Sequence, residues 1–420
     1  MRRKKNLILS LVLIVSIALS ACANLLPQDE EPITGDFGAP YTPQEHQTKT
    51  FDALWNNLQD HYIYFESASV DWDTLYTKYT DQINTGLTNE QFIGLIHDLE
   101  SELPAGTLQF QSRPERILAD TADNSTYGGI GAFIGFQAKP EPHIVILAVM
   151  AGSPAEKAGI KAHDSLVKID GKPITLEEGL SAVQRVRGPA GSVVKLTVRS
   201  PGKAERVVEV TRGQLASSSK IEAFEIKGKP FGYILFPPVA YSTMMSDIST
   251  NLQSFTSNKT LEGLILDLRV AGPGVTWPLQ DLFTMFSTGE IGQFYDRKNI
   301  QTAYITGEDR FGSQTVPLII LVGENTTGSP EILAASLQAY KRATVIGEKT
   351  TGSVEVTTPY DLPDGSRVFI ETTSFRLYNG DEIGNTGVTP SYVVDAGWDD
   401  VLPNNDPVLD KAIEVLEAQP

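Results

Sequence analysis

Apolar positions change their spacing along this chain. From 47 to 120 they recur every three or four residues. Phe51, Leu54, Trp55 and Leu58 fall at i, i+3, i+4 and i+7, which marks one buried helix face. The same spacing predicts helices over 72–83 and 89–103, the second capped by Thr88 or Asn89 and ended by Pro104-Ala105-Gly106. Trp55 and Trp72 read as core anchors. From 127 to 213 short strands alternate with turns, at 131–137, 144–149, 165–170 and 193–199, with an Asp-Gly turn at Asp170-Gly171. Two short helical stretches, 154–158 and 176–186, sit among them. From 214 to 420 strands and helices alternate. Strands are expected at 232–236, 263–269, 316–322 and 342–347, with β-rich pieces from 354 to 374. Helices are expected at 246–255, 332–340 and 408–416. This is the pattern of an α/β core. The fold class is therefore mixed α/β and α+β in several domains: a helical segment (47–120), a β-rich domain with two helices (127–213) and an α/β core (214–420).

The first residues follow another logic. Arg2, Arg3, Lys4 and Lys5 precede a mostly apolar run from Asn6 to Leu19, too short for an ordinary spanning helix and built like a targeting leader. Leu19-Ser20-Ala21-Cys22 resembles a bacterial lipobox, which implies cleavage after residue 21 and lipidation of Cys22. Cys22 is the only cysteine, which excludes internal disulfides and thiolate metal sites. Residues 22–46 are polar and carry Pro27, Pro32, Pro40 and Pro43, as an extended tether would. Loss of residues 1–21 moves the formal charge from −18 to −22. So acidic a chain does not suit nucleic acid and is repelled by anionic lipid heads, so membrane attachment falls to the lipid.

In 127–213, Gly128-Gly129-Ile130-Gly131, Ala151-Gly152-Ser153-Pro154-Ala155-Glu156-Lys157-Ala158-Gly159-Ile160 and Arg187-Gly188-Pro189-Ala190-Gly191 resemble the motifs of a bacterial PDZ domain. Successive glycines let backbone N–H groups converge on an anion. The resemblance implies that Gly129, Ile130 and Gly131 hold a peptide's C-terminal carboxylate. The peptide would add as a strand beside 130–134, with Ile134, Leu180 and Val183 at the pocket for its last side chain.

A third element draws the chemistry together. The apolar run 316–322 leads through Thr326-Thr327-Gly328-Ser329-Pro330-Glu331 into a helical pattern. Ser329 before Pro330 suits a helix start, and a helix N-terminus stabilises developing negative charge. The order of helical segment, PDZ and α/β core resembles the C-terminal processing (tail-specific) serine peptidases of the bacterial envelope. The likeness runs over about 51–416 and is strongest in the PDZ segment, in 264–269 and in 342–352. Val70-Asp71-Trp72-Asp73 also resembles a helix opening of that family.

That family uses a serine activated by a lysine, in motifs Ser-Ala-Ser-Ala-Ser-Glu-Ile and Gly-Glu-Pro-Thr-Phe-Gly-Lys. Laid on Glu331-Ile332 and on Gly347-Glu348-Lys349-Thr350-Thr351-Gly352-Ser353, these put Gly328 in the nucleophile slot and Ser353 in the lysine slot. The glutamine that usually follows falls on Thr357. The oxyanion loop Asn-Asn-Pro-Gly-Gly becomes Val270-Ala271-Gly272-Pro273-Gly274, leaving Gly272 and Gly274 as candidate donors. A second branch uses a histidine in Asp-Gly-His-Thr, but the matching stretch is Ala105-Gly106-Thr107. The five histidines, His46, His61, His97, His143 and His163, read as surface or packing residues.

Two readings follow. In one, the chain is an envelope lipoprotein that binds the C-termini of extracytoplasmic proteins and is catalytically impaired, because a hydroxyl without a base is a poor nucleophile. In the other, it is an active serine endopeptidase with its nucleophile relocated to Ser329, for which Lys349 is the tempting base, although it reads better as a surface lysine. A purely structural tether leaves the glycine nest without a role. No His pair has metal-ligand spacing, and no cofactor motif is present.

Overall fold

The computed structural model describes residues 43–121, 127–213, 220–257, 260–272, 277–402 and 405–419. The leader, Cys22, the tether to residue 42, and Pro273 and Gly274 of the glycine-proline loop lie outside these residues. The chain forms two compact units. Among the described residues, no helix is long and apolar enough to cross a membrane.

The first unit runs to Asp120 and takes in Thr358–Ile370, which sequence order had assigned to the α/β core. Helix α1 (Pro43–His61) buries Phe51, Leu54, Trp55 and Leu58, each worth about 1.5–3 kcal/mol for the larger side chains. Helix α2 (Trp72–Ile83) opens on Asp71, whose carboxylate accepts the Thr74 N–H at 3.1 Å. Helix α3 (Asn89–Glu102) opens on a capping box between Thr88 and Gln91. Trp72 is only half-buried, against Trp55 at 5.9 Å, and its indole donates to the Phe65 carbonyl at 2.6 Å. The segment is not helical throughout. Strand β1 (Leu108–Gln111) pairs antiparallel with 367–370, and α4 (Arg113–Thr121) follows it. Thr107, in the stretch that lacks the family's histidine, is fully buried and donates to the Tyr62 hydroxyl at 3.0 Å.

The second unit begins with a sheet of β2 (Ala132–Gln137), β3 (His143–Val149), β4 (Ser165–Ile169), β5 (Val193–Arg199) and β6 (Arg206–Thr211), in that spatial order. Strand β2 is therefore an edge. A short helix α5 (Pro154–Lys157) and a 3-10 helix (Gly179–Arg185) close one face over Ile144, Ile146, Leu166, Leu196 and Val198. The second helical stretch is thus shorter and tighter than the expected 176–186. The Asp170-Gly171 turn has both residues at positive φ, 49° and 77°, as a tight hairpin turn requires.

The α/β core of the same unit has a sheet of β7 (Glu222–Glu225), β8 (Phe231–Leu235), β9 (Gly263–Asp267), β12 (Leu318–Val322), β13 (Ala343–Gly347) and β15 (Tyr392–Val393), parallel except for β7. Helices α6 (Met244–Thr256), α7 (Leu279–Phe286) and α8 (Ser329–Ala339) pack one face against Leu264, Leu266, Ile320 and Val345. Helix α9 (Pro407–Glu417) packs the other against Ile265, Ile319, Leu321 and Ile346. Successive residues thus face opposite layers, which is why these strands read as unbroken apolar runs. A hairpin of β10 (Gly289–Tyr295) and β11 (Ile300–Ile305) pairs with residues 374–377 of β14 (Arg367–Leu377).

Candidate active site and peptide groove

Strand β12 ends at Val322, and the next six residues are stitched to the end of β9. Thr326 is fully buried; its hydroxyl donates to the Leu268 carbonyl at 2.8 Å and accepts from the Gly323 N–H at 3.0 Å. The Thr327 N–H donates to the Ala271 carbonyl at 3.1 Å. Gly328 then caps α8 with φ 72° and ψ −132°, a left-handed backbone that a residue with a Cβ holds only under strain. It makes the sharp strand-to-helix turn on which hydrolases expose a nucleophile, but here it has no side chain. Ser329 follows, half-buried. Among the described residues its hydroxyl has no hydrogen-bond partner. Lys349 is exposed and, among the described residues, contacts neither Ser329 nor an acid.

Glu331, in the first turn of α8, is the organising side chain. It is fully buried. One carboxylate oxygen accepts the Gly328 N–H at 3.1 Å and the other accepts the Gly352 N–H at 2.7 Å. Burial raises its pKa, and hydrogen bonds from Thr350, Gly352, Gly328 and Ser353 pull the other way. One carboxylate therefore fastens the Gly328 turn to the 350–353 loop. Ser353 is exposed at the end of that loop, its hydroxyl 3.2 Å from that of Thr351. Thr357 is also exposed. The expected oxyanion donor Gly272 needs correction: its N–H already donates to the Pro238 carbonyl at 3.1 Å and is not free to meet an oxyanion.

The peptide groove also departs from expectation in one respect. Gly129 exchanges both backbone hydrogen bonds with Gly213, at 3.2 and 3.1 Å, so its N–H is not available. The N–H groups of Ile130 and Gly131 have no backbone acceptor among the described residues, and Gly131 takes φ 76°. The Ile130 side chain is in the domain core and offers only its backbone. Ile134 and Val183 fringe the same apolar cluster, and Leu180 is 51% exposed above the 3-10 helix. Ile134 of β2 and Val183 of the 3-10 helix thus meet at one apolar cluster, with β2 and that helix in contact, as a strand-adding peptide requires.

The other face of this domain rests on the α/β core. Val145 and Leu147 pack on Val270 and Trp398. Gly135 of β2 is buried so closely that a Cβ built on it would fall on the Asn325 side chain, in the loop before Gly328. His143 donates from Nδ1 to the Glu141 carbonyl at 2.7 Å and from Nε2 to Asp399 at 2.9 Å, and Ser165 donates to the same carboxylate at 2.8 Å. His163 Nδ1 donates to the Trp398 carbonyl at 2.6 Å. Behind this contact, buried Arg269 grips Asp267 and Asp406, each at 2.6 Å, and fixes the end of β9. Among the described residues no group of His, Cys, Asp and Glu has the arrangement of a metal site.

Comparison with known proteins agrees along the whole order of domains. Residues 230–394 match the model of peptidase family S41, 145–200 that of the PDZ domain and 43–99 that of the Tricorn protease C1 domain. A carboxyl-terminal-processing protease of Picosynechococcus is 31% identical over 64% of this chain and 66% of its own length. The carboxy-terminal-processing protease of Bartonella bacilliformis is 29% identical over 65% and 63%. The chain therefore spans a little under two thirds of those relatives. The carboxy-terminal processing protease CtpA of Bacillus subtilis is 26% identical over 92% of this chain and 77% of its own. The chain belongs to the C-terminal processing peptidase family. Its fold is shared with a photosystem II D1 C-terminal processing protease, at TM-score 0.64, 22% identity, and coverage of 90% of this chain and 98% of that one.

Among the residues singled out from the sequence of this member of the C-terminal processing peptidase family, the structure brings Gly328 and Ser353 together through Glu331. Glu331 itself had entered only as a first-turn acid and alignment anchor. His143 is a packing residue, 1% exposed and paired with Asp399. Nothing in its local sequence signals Asp399, which lies 256 positions away.

Proposed function

We propose that this C-terminal processing peptidase homologue is a lipid-anchored protein of the bacterial envelope. In this reading its PDZ domain captures the C-terminal peptides of extracytoplasmic proteins, and its peptidase core is catalytically impaired. The observation that carries the reading is Gly328. At the turn that aligns with the family's serine, the backbone takes a positive φ and the side chain is missing. Such a backbone strains a side-chain-bearing residue by about 1–3 kcal/mol, a cost kept where a mechanism needs it. Glycine removes the strain and the nucleophile together. Ser353 supports the same reading, since it offers a hydroxyl paired with Thr351 where the family has an amine. The lipobox at Leu19-Ser20-Ala21-Cys22 supports the anchor. Membership of a serine-type peptidase family holds whether or not the protein turns over substrate.

The test is turnover. The purified soluble chain is expected not to cleave unfolded proteins or C-terminally tagged peptides, and a serine-reactive phosphonate is expected not to label it. Gly328→Ser with Ser353→Lys, which restores both side chains, is expected to regain labelling. The second reading rests on Ser329, half-buried at the start of α8 with its hydroxyl unengaged among the described residues. Cleavage by the unmodified chain that disappears in Ser329→Ala would establish that reading in place of the first. The displacement by one residue argues against it, since about 1 Å of misplacement costs roughly 100-fold in rate.

A further inference from the structure

The PDZ domain buries a cation that no acid among the described residues balances. Arg212, just after β6, is 8% exposed. Its Nε donates to the Val186 carbonyl at 2.6 Å, Nη1 to the Ser192 hydroxyl at 2.9 Å and the Val193 carbonyl at 3.1 Å, and Nη2 to the Arg185 carbonyl at 3.2 Å. Every acceptor is neutral, and among the described residues no carboxylate pairs with it. Buried charges are normally paired, because desolvating one alone is costly. The cation's location makes sense of the exception. Arg185 and Val186 carry the last carbonyls of the 3-10 helix, so the guanidinium neutralises the negative end of that helix. The chain then turns through Arg187 to Gly188, which pairs with Gly128 at the mouth of the glycine nest. Arg212 is wedged at that pairing: a Cβ built on Gly188 would lie 3.0 Å from its Cζ, and one built on Gly128 would lie 3.2 Å from its Cβ. The next residue, Gly213, is the one that holds Gly129.

We propose that Arg212 is the electrostatic counterpart of a peptide's C-terminal carboxylate, acting through space as a positioning residue while the Ile130 and Gly131 amides make the contact. The proposal rests on the peptide-binding reading above. It removes a difficulty of that reading, since a carboxylate approaching a chain of formal charge −18 and a set of helix-end carbonyls would otherwise meet repulsion on both counts. A bound peptide completes the pairing that Arg212 lacks among the described residues.

The experiment compares the free acid and the C-terminal amide of one fluorescent peptide ending in valine, titrated against the soluble chain. Wild type is expected to favour the acid at least about tenfold. Arg212→Gln is expected to lower that ratio about five- to tenfold by weakening the acid alone, and Arg212→Lys to keep most of it. If Arg212 is only a structural brace, both variants weaken acid and amide alike and the ratio stays at the wild-type value, which overturns the proposal. If thermal melts reveal that Arg212→Gln does not fold, Ser192→Asp supplies the missing acid beside Nη1, with Ser192→Asn as its neutral control. An acid-to-amide ratio equal in those two also overturns it. A wild-type ratio near one defeats the peptide-binding reading itself, whatever the variants do.

Discussion

Glu331 occupies a position that no other side chain fills equally well. Its two oxygens accept N–H groups 24 residues apart, from Gly328 and Gly352, and an acceptor-only group is what two converging donors need. Glutamine keeps the shape but turns an NH2 toward one of those amides. Alanine leaves both amides buried without acceptors. Either substitution is therefore expected to destabilise the fold by about 2–4 kcal/mol, the range for losing a charge-assisted bond and stranding a buried donor. Urea unfolding at pH 7 measures this, and a loss under about 0.5 kcal/mol would mean that the carboxylate is not the fastener. The two amides belong to Gly328 and to the neighbour of Ser353, so the brace holds both proposed catalytic slots in place.

Among the elements, the contact between the PDZ sheet and the 398–400 turn is sensitive to pH. Burial pulls the His143 pKa down, but the hydrogen bonds to Asp399 and to the Glu141 carbonyl outweigh it and leave the imidazole above its ordinary value. Burial pushes Asp399 up, and the bonds from His143 and Ser165 more than reverse that. Arg199, itself paired with Glu141 at 2.6 Å, opposes the proton weakly. Glu348 nearby is pushed up to about 7 by burial and by Glu324, Asp395, Asp400 and Asp399. The signs agree. A raised histidine contributes stability that is full below about pH 6.5 and lost as pH rises through its folded value. A raised carboxylate loses its contribution between about 4.5 and 7. Unfolding free energy is thus expected to fall as the pH rises from about 6 to about 8.5. Asp399→Asn should flatten the histidine part of that slope, and an unchanged slope in that variant would exclude His143 as its source.

How far such elements were legible depends on where their information lies. Helix α2 begins and ends where its side chains predict, because Asp71 caps it locally and Leu75, Tyr79 and Ile83 mark its face. The β10–β11 hairpin left no trace: it carries a register shift between Glu290 and Gly292, and β11 is exposed for most of its length, so no period-two pattern arises. Strand β1 was lost among helices because its partner, 367–370, is remote in sequence. At the site, the turn at Gly328 was readable from a local strand-to-helix transition. The Glu331 link and the engaged amides of Gly272 and Gly129 were not, since each depends on a partner outside any local window.

For the molecule as a whole, charge and anchorage make one argument. On the proposed reading, a chain of charge −18 that would lose four basic residues with its leader has no electrostatic route to an anionic bilayer, so its attachment would depend on acyl chains. Cys22→Ala is expected to accumulate as an unprocessed precursor that takes up no labelled fatty acid, whereas equal labelling of variant and wild type would remove the anchor from the proposal. The close approach of Gly135 to Asn325 bears on how such a molecule changes over generations. A PDZ module borrowed from a relative would seat here unchanged only if it brought no side chain at that point; otherwise the side chain at 325 would have to swing aside or shorten. Residues 135 and 325 thus form a matched pair across the two modules, and a donor module that also lacks a side chain at that point would be the easiest to exchange.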